Sequence, residues 1–306
     1  MQRKCLTFIP SYNYEMYVGE ALESVLTQSY PNHKVIVVDD HSSDHSVEIV
    51  KEFQKKYDNL LLFVFEERYG NIHGVRFIYP VVKDKFDFMC LLCSDDVMLP
   101  NYWETVLPHF EDPDVGVVRI GCYMFTNDRP EGSYWRPQPM YRSAEILDGN
   151  RIFASSPIRM EAWRQVGEHD VNTVYADWDF WIRMLMAGWK FATIQDPLYK
   201  YRRHDKACSF SMDISTGGFD YKYMALKHKQ LLKASNWRTG LMLDAYMGLV
   251  RDTKLNYEQL PSTPYEILNF LGGTRYQFSN KDYFAIPYLK GEKVGIPEIE
   301  EFLNGT

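Results

Sequence analysis

Four short clusters in this 306-residue chain carry the residue types from which a reaction can be built. In Ser94-Asp95-Asp96, two adjacent carboxylates follow an apolar run at 86–93. Paired carboxylates at the end of a buried strand are costly unless a cation neutralises them. A hard divalent cation that completes its shell with water and phosphate fits them. A helix cap ahead of Pro100 with a solvated turn is the plainer alternative. Asp39-Asp40 ends a second apolar run, where a carboxylate can accept hydrogen bonds from a ribose or a base, or cap the helix that Ser43 or Asp44 opens. Ala176-Asp177-Trp178-Asp179 opens a helix, where the macrodipole favours acids in any case. One of these two carboxylates, facing a crevice, is suited to act as general base on a hydroxyl. Tyr201-Arg202-Arg203-His204 offers an imidazole to a metal and guanidinium groups to phosphate.

These clusters sit at the ends of recognisable elements. The runs at 5–10, 34–38, 60–65 and 86–93 are short, apolar and continuous, as buried strands are. Between them, residues 15–28 place Val18, Ala21, Leu22, Val25 and Leu26 on one helical face, and further helices are expected to about residue 57 and over 74–83. Apolar strands alternating with helices imply an α/β fold with a mostly parallel sheet covered on both faces. Ligands bind such sheets beyond the carboxyl ends of the strands. Three of the four strands end in polar clusters, Ser11-Tyr12-Asn13, Asp39-Asp40 and Ser94-Asp95-Asp96, which are expected to meet at one crevice. Downstream, the pattern predicts a strand at 115–120, a long loop at 127–142, helices at 158–166 and 176–187, and a strand at 190–194. From about residue 218 the character changes to helical segments, 219–235 and 239–254, rich in Lys, Tyr, Met and Leu. The expected organisation is a unit at 1–214 and a mainly helical extension at 215–306, for acceptor binding or oligomerisation.

The order of motifs resembles glycosyltransferase family 2. Phe8-Ile9-Pro10-Ser11-Tyr12-Asn13, Ser24-Val25-Leu26-Thr27-Gln28-Ser29-Tyr30-Pro31 and Val37-Val38-Asp39-Asp40 are followed, at the family's approximate spacing, by Ser94-Asp95-Asp96, Asp177-Trp178-Asp179 and Tyr201-Arg202-x-His204. The resemblance covers about residues 5–210. It implies a GT-A, Rossmann-like fold, a nucleotide-diphosphate sugar donor (a UDP-sugar), Mn²⁺ or Mg²⁺ as cofactor, and inversion at the anomeric carbon. Carried over by position, Pro10, Ser11, Tyr12, Asp39, Asn71, Arg76 and Asp95 would hold the nucleotide sugar, Asp96 and His204 would meet the metal, and Asp177 would be the catalytic base. The chain departs from the family at His41, where Gly or Asn is usual, at His73 and Tyr79 in the segment after the third strand, and at Ala176, where Glu is usual.

Composition narrows the partners. A formal net charge of −7 disfavours nucleic acid as the acceptor or partner, because binding by phosphate neutralisation needs a basic surface. A glycan or another hydroxyl acceptor is preferred. No apolar stretch approaches the length of a bilayer span, and no signal core follows Met1, so a soluble, cytoplasmic enzyme is expected, with peripheral membrane contact through a partner left open. The odd count of five cysteines reads as reduced thiols. Cys90-x-x-Cys93 has redox spacing, but it begins inside a buried strand. Nucleotidyl transfer on the same fold is a second reading. It goes with a Gly-rich, Arg-containing loop where this chain has Pro10-Ser11-Tyr12-Asn13. A nucleotide-sugar-binding protein without catalysis is a third, opposed by the intact Asp96 and Asp177.

Overall fold

A computed structural model describes residues 2–135, 146–147, 149–170, 173, 175–204, 224, 227 and 228. Among the described residues, nine strands form one sheet: β1 (Cys5–Ser11), β2 (His33–Asp39), β3 (Leu60–Val64), β4 (Phe88–Leu91), β5 (Val97–Met98), β6 (Val115–Thr126), β7 (Arg129–Trp135), β8 (Ile158–Arg159) and β9 (Lys190–Arg202). Their order is β3-β2-β1-β4-β8-β6-β9-β5, with β7 paired to β6. The ladders β3-β2-β1-β4 and β6-β9 are parallel, β7 pairs antiparallel with β6 along its whole length, and the antiparallel pairings of β8 and β5 are short.

Alternation along the strands builds two cores. Leu6 and Phe8 of β1, Ile36 and Val38 of β2, and Met89 of β4 face one side. There they pack on α3 (Asn71–Val82), α5 (Met160–Val166) and α6 (Ala176–Met186). Cys5 and Ile9, Val35 and Val37, and Phe88 and Cys90 face the other, against α1 (Val18–Leu26), α2 (Ser46–Gln54) and α4 (Tyr102–Val106). Strands apolar on both faces must be covered on both faces, which accounts for the three-layer arrangement. α1 buries the five apolar residues expected from its helical spacing.

Several elements differ from expectation. The loop expected at 127–142 is in part the strand β7, which folds back on β6. Pro130 and Gly132 hide it in the sequence, since both disfavour strands. Gly132 has φ +60°, and a Cβ there would lie 2.5 Å from the Met124 carbonyl oxygen, so this irregular ladder admits only glycine. Residues 136–142 of that loop lie outside the described residues. Ile158 and Arg159, expected in a helix, instead bridge β4 and β6. β9 runs on to Arg202, so Tyr201 and Arg202 belong to the sheet. The helices expected at 219–235 and 239–254 lie outside the described residues apart from Met224, Lys227 and His228. Met224 is buried in the core under α6. Among the described residues, no helix is long and apolar enough to cross a membrane.

Candidate functional site

The chain runs outward from β1 to β2 to β3, then returns through α3 to place β4 on the other side of β1. The strand order therefore reverses between β1 and β4, which opens a crevice beyond their carboxyl ends. Two backbone acceptors hold its floor. The Ser94 hydroxyl donates to the Pro10 carbonyl (2.6 Å), and the Asp40 N–H donates to the Ser11 carbonyl (2.8 Å).

The loops leaving β1 and β2 are locked to each other. Asn13 and His41 both take left-handed backbone, with φ of 54° and 63°. His is tolerated there better than bulkier residues, which explains a position that otherwise favours Gly or Asn. Ser42 donates from its N–H and its hydroxyl to the two Asp39 oxygens (both 2.7 Å) and accepts from the Asn13 N–H. Asp39 is fully buried and caps this turn. Asp40, which the sequence did not single out from its neighbour, accepts the Tyr69 and Gly70 N–H groups (2.7 and 2.8 Å) and so fixes the loop ahead of α3. The guanidinium of Arg68 lies over the Tyr12 ring, 4.0 Å from its centre, at the mouth of the crevice. A lone exposed arginine after β3 gave no signal for this.

On the β4 side, Asp95 and Asp96 are 7% and 1% exposed. Burial, together with the adjacent Asp95 charge, pushes the Asp96 carboxyl well above its ordinary value, and Arg202 only partly offsets this. The Asp96 Oδ1 accepts the Arg202 backbone N–H (2.8 Å), and Asp95 Oδ2 lies 3.0 Å from His204 Nε2. The His204 ring packs against Tyr17, centre to centre 4.8 Å. Its Nδ1 and the Ser11 hydroxyl are buried without a hydrogen-bond partner among the described residues. Arg202 departs from both readings of its basic run, a solvated surface or a phosphate ligand. Its guanidinium is buried between Tyr17 and Phe125 and donates to the Asp95 carbonyl, Asn127 and Glu20. Arg203 is exposed.

The two carboxylates of α6 part company. Asp179 is fully buried and accepts from Arg183 (2.8 Å), Lys227 (2.7 Å) and His228 (2.8 Å). Burial alone would raise its carboxyl, but the bonds from His228 and Lys227 and the charge of Arg183 hold it well below the ordinary range. Asp177 is half-buried, accepts from the Asn150 amide (2.8 Å) and the Trp178 N–H (2.8 Å), and has no cationic partner among the described residues. Burial pushes its carboxyl up, against those two bonds. The neighbouring carboxylates thus sit in opposite environments: Asp179 is tied to Arg183, Lys227 and His228, and Asp177 accepts only neutral donors among the described residues. We expect Asp179→Asn to cost about 3 kcal/mol or more, read from the urea midpoint, because it removes the buried charge that Arg183, Lys227 and the buried His228 share. With its folded value depressed, the stability Asp179 contributes is present above the unfolded carboxylate value and lost as pH falls below it, and the variant lacks that acid-side loss.

A cation suits the Asp95–Asp96 pair. Two adjacent buried carboxylates, with no Lys or Arg ion pair on either among the described residues and an imidazole with an orphaned nitrogen beside them, are a donor set for a divalent ion. Cys93, Asp95 and Asp96 bring their ligand atoms within 4.8 Å of one another. The sequence profile described as Glycosyl transferase family 2 matches residues 7–166, just over half of the chain. The chain belongs to that family. Glycosyltransferase GlyG of Streptococcus pneumoniae is 27% identical over 216 residues, which are 64% of this chain and 69% of that protein. Glycosyltransferase GlyA of the same organism is 40% identical over 142 residues, 43% of this chain and 18% of that one. Among solved structures, residues 1–349 of Staphylococcus aureus TarS in complex with UDP-GlcNAc superpose with a TM-score of 0.62 at 17% identity, covering 82% of this chain and 76% of that one. The mannosyltransferase PcManGT of Pyrobaculum calidifontis, in complex with GDP-Man and Mn²⁺, gives 0.60 at 16%, covering 89% and 80%. The protein is a glycosyltransferase with the GT-A fold of these structures.

In this transferase Pro10, Ser11, Tyr12, Asp39, Asp95, Asp96 and His204 come together at the crevice. Asn71 is the first residue of α3, next to the loop that Asp40 holds. The Arg76 Nε is engaged by Glu168 (2.7 Å). Asp177 stands apart: among the described residues, no hydrogen bond or ion pair joins it to the Asp95–Asp96 pair. A surface cavity of about 530 Å³ ahead of the amino ends of β1 and β2, lined by Arg3, Tyr30, Glu104 and Leu107 among others, contains none of these residues.

Proposed function

We propose that this glycosyltransferase moves a sugar from a nucleotide diphosphate, a UDP-sugar, to an acceptor hydroxyl with inversion, and that it uses Mn²⁺ or Mg²⁺. The observation that carries the reading is the buried Asp95–Asp96 pair at the strand-order reversal, two adjacent carboxylates with no Lys or Arg ion pair among the described residues. TarS binds UDP-GlcNAc and PcManGT binds GDP-Man with Mn²⁺, and both share this fold. Tyr12, with Arg68 beside it, meets the base, and Asp39 acts from behind by fixing the Ser42 turn at the nucleotide end of the crevice. Asp96 and His204 are the metal ligands, and Asp95 faces the ribose or the ion. A divalent cation there supplies positive charge against the diphosphate leaving group. Asp177 takes the hydroxyl proton as the acceptor oxygen attacks the anomeric carbon, and the electron pair of the breaking C–O bond leaves with the diphosphate. Positioning of the two substrates supplies much of the rest. The acceptor is a glycan or another hydroxyl compound, contacted by the segment at 127–142 and by residues beyond 215. The reduced thiols of Cys5, Cys90 and Cys122 suit the cytoplasm.

A panel of nucleotide sugars tests this by thermal shift, with and without Mn²⁺. At about a hundred times the dissociation constant, a bound donor adds about 2.7 kcal/mol. We expect that gain from a UDP-sugar only when metal is present. A flat response to every UDP- and GDP-sugar with Mn²⁺ would overturn the reading.

A further inference from the structure

We propose that Cys93 is a ligand of the same ion as Asp95 and Asp96, and that its thiolate turns the site toward thiophilic divalent cations and away from Mg²⁺. The proposal rests on the metal-dependent reading of this crevice. Its geometry is local. The Asp96 N–H donates to the Cys93 carbonyl (3.0 Å), so a tight turn folds Cys93 back toward the Asp pair. Ser94 inside that turn is pinned by its hydroxyl to Pro10, and Asp96 is pinned by the Arg202 N–H. As a result the Cys93 sulfur and one oxygen from each carboxylate lie within 4.8 Å of one another. Two ligands of one ion can be at most about 4.5 Å apart, the sum of a metal–sulfur and a metal–oxygen bond. The set therefore closes on an ion with shifts of a few tenths of an ångström.

The other described cysteines are excluded by their surroundings. Cys5, Cys90 and Cys122 are fully buried in the apolar core, and burial pushes the thiols of Cys90 and Cys122 up to about 12. Cys93 is half-buried and in no disulfide, at the rim of the crevice. His204, 8% exposed in its side chain, closes the opposite side through Asp95. Ligation replaces the S–H bond by a sulfur–metal bond and releases the proton to water, with no redox partner required. Mg²⁺ demands oxygen donors in near-ideal octahedral geometry, whereas thiolate favours softer ions such as Zn²⁺, Co²⁺ and Cd²⁺. A site of two carboxylates and a thiolate thus binds Mg²⁺ weakest.

The test uses the reduced full chain and titrates Co²⁺ and Cd²⁺, following the sulfur-to-metal charge-transfer absorption, with Mn²⁺ binding by paramagnetic resonance and Mg²⁺ by competition. The wild-type chain should develop the thiolate band at one equivalent. Cys93→Ser should abolish the band and weaken Cd²⁺ by about ten-fold or more, with Mg²⁺ affinity little changed. Cys93→Asp should lose the band while gaining Mg²⁺ affinity, and it serves as the folded control if Cys93→Ser is unstable. Asp96→Asn should also lose the band, because the ion is shared. Wild-type chain that binds Mn²⁺ without a Cd²⁺ thiolate band overturns the proposal and leaves the donor reading standing. A band that survives in Cys93→Ser or Asp96→Asn also overturns it, by assigning the thiolate to another site. No binding of any of these ions would overturn both.

Discussion

Asp177→Asn is expected to lower sugar transfer by about 10²–10⁴-fold, the usual worth of a positioned general base. Metal-dependent UDP binding should be preserved, because the residue touches neither the Asp95–Asp96 pair nor the loops that hold Asp39. Asn keeps the shape and can still meet the Asn150 amide, so the loss isolates proton transfer. The pH dependence has a definite sign. A base works only when ionised, and burial raises the Asp177 carboxyl above its ordinary value. The acid limb of kcat/KM for the wild-type enzyme should therefore lie above the ordinary aspartate value of about 3.9. Stability runs the other way. With its folded value above its unfolded one, the folded chain binds this proton more tightly. The contribution of Asp177 to stability is then greatest below the unfolded value and is lost as pH rises through the folded one. At neutral pH the ionised carboxyl is a cost, and Asp177→Asn should melt at the same temperature as wild type or higher. Full turnover in the variant would remove Asp177 from the chemistry. A sharp loss of stability would place it with Asp179 among the structural anions.

The contrast between those two residues also shows what the sequence carries and what it leaves out. The crevice was legible because the apolar runs of β1, β2 and β4 stop abruptly at Ser11, Asp39 and Ser94, and a parallel sheet brings such ends together. His204 was legible only through the family's motif order, since nothing local distinguishes it from a surface histidine. Asp177 was set apart from Asp179 only by the family's motif order, and nothing local shows which α6 carboxylate is tied up. The partners that neutralise Asp179 include Lys227 and His228, nearly fifty residues downstream, and no local pattern announces them. Arg76 sat at a plausible phosphate spacing, yet its partner Glu168 is far along the chain. Arg202 looked like part of a basic surface run until β9 proved to extend through it and bury it under Tyr17 and Phe125. In each case the deciding contact is long-range.

The second large effect is at Asp96. In the metal-free protein its carboxylate lies buried beside Asp95, with a backbone N–H as its hydrogen-bond donor, so the pair repels across a poorly screened gap. Mn²⁺ at about a hundred times its dissociation constant should add about 2.7 kcal/mol, which for a unit of this size is a rise of roughly 5–10 °C in Tm. In Asp96→Asn the amide oxygen can still accept the Arg202 N–H, and the repulsion is gone. The metal-free variant should therefore be at least as stable as wild type, while its Mn²⁺-induced rise disappears. Transfer should drop by about 10²–10³-fold, as when an electrostatic stabiliser of the developing charge is removed. The combination is diagnostic. A merely structural Asp96 predicts a less stable metal-free variant whose Mn²⁺ response is intact, and a metal ligand predicts the reverse on both counts. Asp95→Asn sharpens the comparison, because of the two carboxylates it is Asp95 that contacts His204 among the described residues. If Asp95 positions the imidazole, its loss should weaken Mn²⁺ without abolishing the rise in Tm, so the two adjacent carboxylates separate in a single melting experiment.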